Sequence, residues 1–184
     1  MQKVLLLDNF DSFTYNLQHY IVNEGVEVDV VRNDENIPEL LSYDGIIISP
    51  GPGLPEDAGC LMDVISQAVG KVPILGVCLG CQAIAIHLGG QLYNLSQVRH
   101  GVESDVSHNG LGLFNDISNP FRVGLYHSWA VVSGKGDFEI IATDDNEVVM
   151  GIQNTSKQLY GVQFHPESVM TEYGQSIVQN FLAL

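Results

Sequence analysis

The chain has 184 residues, 45% of them hydrophobic, and lacks any apolar run of the roughly 18 residues that would cross a membrane, so it reads as one soluble domain over 1–184 with a single core. Twenty-two acidic residues against seven basic ones give a formal charge of −15, which excludes phosphate backbones and anionic lipid surfaces as partners and leaves room for a partner with a basic face. Three cysteines fit a reducing compartment better than a disulfide framework, and the apolar stretch at Val4–Leu7 is too short for a signal peptide, so a cytoplasmic protein is expected.

In chain order, Lys3–Leu7 reads as a strand, Ser12–Asn23 as a helix ended by Gly25, and Val26–Val31 as a strand. Ile37–Leu41 follows as a short helix, Gly45–Ser49 as a strand, Ala58–Val69 as a helix, Val72–Val77 as a strand, and Gly80–Leu88 as a helix stopped by Gly89-Gly90. The second half is β-rich, with strands expected at Phe121–Tyr126, Phe138–Thr143, Val148–Gln153 and Leu159–Phe164, and with a closing amphipathic helix at Tyr173–Leu184. Alternation of strand and helix predicts an α/β fold: an open, mostly parallel central sheet flanked by helices, flavodoxin-like, with a small antiparallel extension.

The most chemically suggestive segment is Gly76-Val77-Cys78-Leu79-Gly80-Cys81-Gln82, at the turn from a predicted strand into a predicted helix. Glycines on either side permit a sharp turn, and the helix N-terminus favours negative charge at Cys78, the thiol counterpart of a nucleophile elbow. Other readings are a small buried hydrophobe, or a Cys78–Cys81 redox or metal pair. No second Cys/His pair has zinc-site spacing, and the redox reading leaves the glycine frame and Gln82 without a role.

Sites in open α/β sheets gather beyond the C-terminal strand ends. Beyond Gly45–Ser49 lies Pro50-Gly51-Pro52-Gly53, where two prolines stiffen the loop and glycines let a ligand approach. Prolines cannot donate a backbone hydrogen bond, so the loop suits one aimed N–H of an oxyanion hole better than a phosphate cradle. Beyond the last strand, His165-Pro166-Glu167 has the spacing of a base oriented by a carboxylate.

These stretches, in this order, with Asp8-Asn9-Phe10-Asp11-Ser12-Phe13 at the start, resemble the triad (class I) glutamine amidotransferases along essentially the whole chain. Within that class, the opening motif, Arg32-Asn33-Asp34 and Tyr126-His127-Ser128 resemble the subunits that serve chorismate-using synthases, anthranilate synthase component II and its relative in para-aminobenzoate (aminodeoxychorismate) synthase. The resemblance implies a Cys78-His165-Glu167 triad and an oxyanion hole from the N–H groups of Leu79 and Gly53. It further implies L-glutamine held by Gly51, Pro52, Gly53, Gln82 and the backbone of Ser128-Trp129.

It implies no metal or cofactor in this chain, with Mg²⁺ in a separate chorismate-binding synthase subunit that receives the ammonia and makes anthranilate, or alternatively aminodeoxychorismate, or with one chain serving both synthases. The segments Asp8–Tyr15, Pro52–Gly59 and Val98–Glu103 are expected as surface loops at that interface. Trp129 departs from the leucine usual at its position and Cys81 from the histidine, and a Cys78–Cys81 disulfide is a minor switch-like reading. A cysteine hydrolase of similar build and a non-catalytic module are the readings from other classes; the triad spacing and the Pro-Gly-Pro-Gly loop argue against both.

Overall fold

The computed structural model describes residues 1–37 and 39–184. Its elements in chain order are β1 (Lys3–Asp8), α1 (Thr14–Asn23), β2 (Glu27–Arg32), β3 (Gly45–Ile48), α2 (Leu61–Ala68), β4 (Ile74–Val77), α3 (Leu79–His87), β5 (Leu92–His108), β6 (Phe121–Val131), β7 (Glu139–Asp144), β8 (Val149–Asn154), β9 (Leu159–Val162) and α4 (Gly174–Leu182). The strands form one continuous sheet in the order β2-β1-β3-β4-β9-β8-β7-β5-β6. The first five are mutually parallel, and from β9 outward every pairing is antiparallel.

Side-chain alternation along a strand lets β1 serve two cores at once. Val4 and Leu6 pack with Leu17 and Ile21 of α1 and with Ile177 and Phe181 of α4 on one face. Leu5 and Leu7 pack with Leu61 and Ile65 of α2 and Ile84 of α3 on the other. These side chains are fully buried, and each contributes about 1.5–3 kcal/mol of burial energy. Covering both faces is what a parallel sheet requires, and it explains the unbroken apolar runs in β1, β3 and β4.

Every strand expected from the sequence is present, and the antiparallel extension gains one more. β5 runs for 17 residues, pairs with β6 through two register shifts and bends at Gly101 (φ +67°). Val98–Glu103, expected as a loop, is therefore strand. The short helix expected over 37–41 includes residue 38, which lies outside the described residues; a single 3-10 turn covers Leu40–Ser42. Among the described residues no helix is long and apolar enough to cross a membrane.

Chain reversals at the C-terminal ends of the parallel strands bring four segments to one edge: Asn9–Phe13 after β1, Pro50–Gly53 after β3, Cys78 after β4 and Gln163–Glu167 after β9. A buried asparagine pair ties two of these segments together. Asn9 donates from Nδ2 to the Ser49 carbonyl at 2.9 Å and from its backbone N–H to Ser49 Oγ at 2.9 Å, and its Oδ1 accepts from Asn33 Nδ2 at 2.9 Å. The loop after β3 is thus set by polar residues from the ends of β1 and β2, and a Cβ at Gly51 would lie 2.5 Å from that of Asn9.

Candidate active site

Cys78 occupies the single residue between β4 and α3 with φ 51° and ψ −100°, outside the ordinary range of an L-residue. Its N–H is held by the Val162 carbonyl at 2.8 Å, and its carbonyl accepts from Gln82 N at 3.0 Å. The flanking glycines serve a different purpose from the turn flexibility read from the sequence. A Cβ at Gly76 would sit 2.3 Å from the carbonyl carbon and oxygen of Gly80, and one at Gly80 would sit 2.8 Å from the Ile48 carbonyl oxygen. They allow the helix to press against the strands, and Cys78 itself carries the strained dihedral.

His165 follows β9 with its N–H on the Gly124 carbonyl at 3.1 Å and its own carbonyl accepting from Thr171 Oγ1 at 2.6 Å. The ring is packed edge-on against Tyr126 and Phe13, with centroids 4.9 and 5.9 Å away. Its Nδ1 lies 2.6 Å from Glu167 Oε1, in a pair whose side chains are 3% and 0% exposed. A buried carboxylate accepts, so Nδ1 carries the proton and Nε2 is turned to the other side. Nε2 makes no bond of standard geometry among the described residues, yet Cys78 is close enough to act strongly on the ring. Burial alone lowers the affinity of His165 for a proton; hydrogen bonding to Cys78 and to Glu167 outweighs it and pushes the imidazole up to about 10. The arrangement favours an imidazolium beside the sulfur.

Gln163, fully buried, donates from Nε2 to Cys78 Sγ at 3.5 Å. Gln82 Nε2 donates both to Gln163 Oε1 at 3.1 Å and to the Trp129 carbonyl at 2.9 Å, so its NH₂ group is used within the protein and only Oε1 remains to accept from another molecule. His127 Nδ1 meets the same Trp129 carbonyl at 2.8 Å, and burial pulls its imidazole down to about 4, leaving it neutral near pH 7.

Cys78 and His165 line a cleft of about 580 Å³ together with Gly51 and Pro52, with Phe10 and Phe13 after β1, and with His100 and Tyr126 of the antiparallel strands. Of the other residues the sequence nominated, Glu167, Gly53, Leu79, Gln82, Ser128 and Trp129 lie outside this lining. Gly53 adjoins Pro52 with φ +80°. Leu79 is the first residue of α3, where a helix N–H has no intrahelical acceptor. Trp129 is half-buried, and its side of β6 borders a separate hollow with Leu54, Ile86 and Leu92. A slightly larger recess, about 600 Å³, runs along β5 beside Arg99 and holds none of Cys78, His165 and Glu167.

Cys60, Cys78 and Cys81 are free thiols. Cys81 is fully buried, and a Cβ at Gly161 of β9 would lie 2.9 Å from its sulfur. Burial, with the Cys78 sulfur nearby, pushes the Cys81 thiol far above the ordinary range, which disfavours the thiolate that disulfide exchange requires. Sequence reasoning assigned no role to Gln163, His127, Asn9 or Asn33. The signal available was a polar residue inside the apolar run Leu159–Phe164.

A strained cysteine at a strand-to-helix elbow, facing a histidine backed by a buried carboxylate, defines a thiol-dependent acyl-transfer hydrolase. The model of the glutamine amidotransferase class-I family matches residues 5–184, and the chain belongs to that family. It is 44% identical over 184 residues to aminodeoxychorismate synthase component 2 of Escherichia coli, covering 97% of this chain and 98% of the relative. It is likewise 44% identical over 185 residues to anthranilate synthase component 2 of Cyanophora paradoxa, covering 97% of each. The bifunctional protein TrpGD of Thermotoga maritima is 44% identical over 189 residues, and this chain covers 32% of its length. A solved structure described as a candidate GMP synthase subunit from Thermoplasma acidophilum superposes with a TM-score of 0.89 at 28% identity, covering 100% of this chain and 93% of that one.

Proposed function

We propose that this chain hydrolyses the side-chain amide of L-glutamine with Cys78, His165 and Glu167 and delivers the ammonia to a separate chorismate-binding subunit that makes anthranilate. The observation that carries the reading is the cleft in which the Cys78 sulfur faces an imidazole held by Glu167 at 2.6 Å. The sulfur attacks the amide carbon, and the backbone N–H groups of Leu79 and Gly53 receive the developing oxyanion. His165 gives its proton to the departing nitrogen, leaving ammonia and a γ-glutamyl thioester; it then takes a proton from water as the thioester is hydrolysed to glutamate.

Glutamine lies along Gly51, Pro52 and Gly53, with its amino-acid end at the Ser128-Trp129 backbone. Gln82 meets it only as an acceptor, a role suited to the substrate's α-ammonium group. We place any Mg²⁺ requirement on the partner and the complex in the cytoplasm.

A second reading has its own support: the E. coli relative serving aminodeoxychorismate synthase is as similar, at 44% identity, as the anthranilate-type relative. The chain is mixed with the chorismate-binding component of each synthase in turn, with chorismate, Mg²⁺ and glutamine, and the product is identified by mass. Anthranilate from the first mixture is the expected result. Aminodeoxychorismate from the second alone overturns that assignment, and products from both mark a shared subunit.

A further inference from the structure

The contacts of Gln163 have a fixed direction. A backbone carbonyl only accepts, so the end of the Gln82 carboxamide at 2.9 Å from the Trp129 oxygen is its NH₂. That same nitrogen lies 3.1 Å from Gln163, so the Gln163 atom it meets is the acceptor Oε1. The NH₂ of Gln163 is left for Cys78 Sγ, at 3.5 Å. His127, donating from Nδ1 at 2.8 Å, holds the Trp129 oxygen from a second side. Side-chain amides flip readily, but a main-chain carbonyl within β6 does not. Two carboxamides in series therefore share one polarity, set at Trp129 and ending as an N–H donor on the nucleophile.

We propose that Gln163 is a catalytic residue that anchors the Cys78 sulfur as a hydrogen-bond donor, and that Gln82 is a positioning residue that keeps this donor, rather than Oε1, on the sulfur. The inference rests on Cys78 being the nucleophile toward glutamine. The donor aims the sulfur from the β9 side while His165 approaches it with Nε2. It acts twice: it holds the thiolate before attack, and it meets the charge returning to sulfur when the thioester is hydrolysed. Hydrogen bonds to charged groups are stronger than to neutral ones, so the bond is weakest in the thioester itself and favours leaving that state. Gln163 is fully buried and both ends of its carboxamide are used within the protein, on Gln82 and on Cys78, so its loss acts on turnover and leaves glutamine binding intact.

Steady-state glutamine hydrolysis by the chain in complex with its synthase partner, in the wild type and in Gln163→Met, Gln163→Glu, Gln82→Leu and the Gln82→Leu/Gln163→Met pair, tests the assignment. Gln163→Met is expected to lower kcat roughly ten- to hundredfold with KM changed by less than about twofold. Gln163→Glu, with the same shape but an acceptor at the sulfur, is expected to lower kcat further. The kcat loss of Gln82→Leu should vanish in the Gln163→Met background, because both substitutions break one path; any KM change that persists reads substrate contact by Gln82. Wild-type kcat in either Gln163 variant, or additive kcat losses in the pair, overturns the proposal. Should Gln163→Met fail to fold, as its thermal unfolding and its ammonia-dependent synthesis would show, the near-isosteric Gln163→Glu decides alone. Cys78→Ser in the same assay separates the two readings: if it still hydrolyses glutamine, the nucleophile assignment falls, whereas its inactivity beside an unaffected Gln163→Met removes only the role of Gln163.

Discussion

At the scale of single residues, two buried histidines pull in opposite directions. Burial, only partly opposed by the hydrogen bond to the Trp129 carbonyl, pulls His127 down to about 4, below its unfolded value of about 6.5, so it costs stability as pH falls from about 6.5 towards 4 and the unfolded chain alone takes up a proton. His165 is raised to about 10, so its contribution is complete below about 6.5 and is lost as pH rises from there through 10. The thermal midpoint is expected to decline on both sides of neutrality, His127→Gln flattening the acid side and His165→Gln the alkaline side. Unchanged slopes in both variants would contradict the assigned environments.

Glu167 acts on the same ring. Glu167→Gln is expected to lower glutamine-dependent kcat less than His165→Ala does, because a glutamine Oε1 still accepts from Nδ1 while the charge that favours the imidazolium is lost. Equal losses in kcat would show that the charge, and not the orientation, is what the carboxylate supplies.

At the scale of elements, the elbow depends on backbone contact. Gly76→Ala places a methyl 2.3 Å from the Gly80 carbonyl, with no side chain able to yield. The expected cost is about 3 kcal/mol in denaturant unfolding, together with slower alkylation of Cys78; a stable and fully reactive variant would refute the close-packing account.

How much was legible in the sequence divides along the same line. Apolar runs and glycine stops located four helices and eight strands because those elements turn at least one apolar face to the core, and that packing writes periodicity into sequence. β5 was missed because Leu92–His108 is mostly exposed, with a burial pattern that follows no period of two. It is a strand through pairing with β6 and β7, which no local signal reports. The triad was legible from motif spacing, whereas the path from Trp129 through Gln82 and Gln163 to Cys78 joins residues 47 and 81 apart in the chain and appears only once β6, α3 and β9 are adjacent. The glycine frame was recognised for the wrong reason, since sequence alone cannot distinguish a glycine that turns from one that lets two backbones touch.

At the scale of the whole molecule, the cleft opens at one edge of the sheet, among residues after β1 and on β5 and β6 that include the exposed Phe10. Ammonia released into bulk water would be protonated and lost, so transfer calls for a partner covering that edge, and a chain of charge −15 offers complementarity to a basic face. The most direct test is product formation by the reconstituted complex with Cys78→Ser, with glutamine or with ammonia as nitrogen source. Glutamine is expected to support no product while ammonia supports it at the wild-type rate, the nucleophile being lost and the complex retained. Glutamine-dependent product from Cys78→Ser would contradict that assignment of the nucleophile.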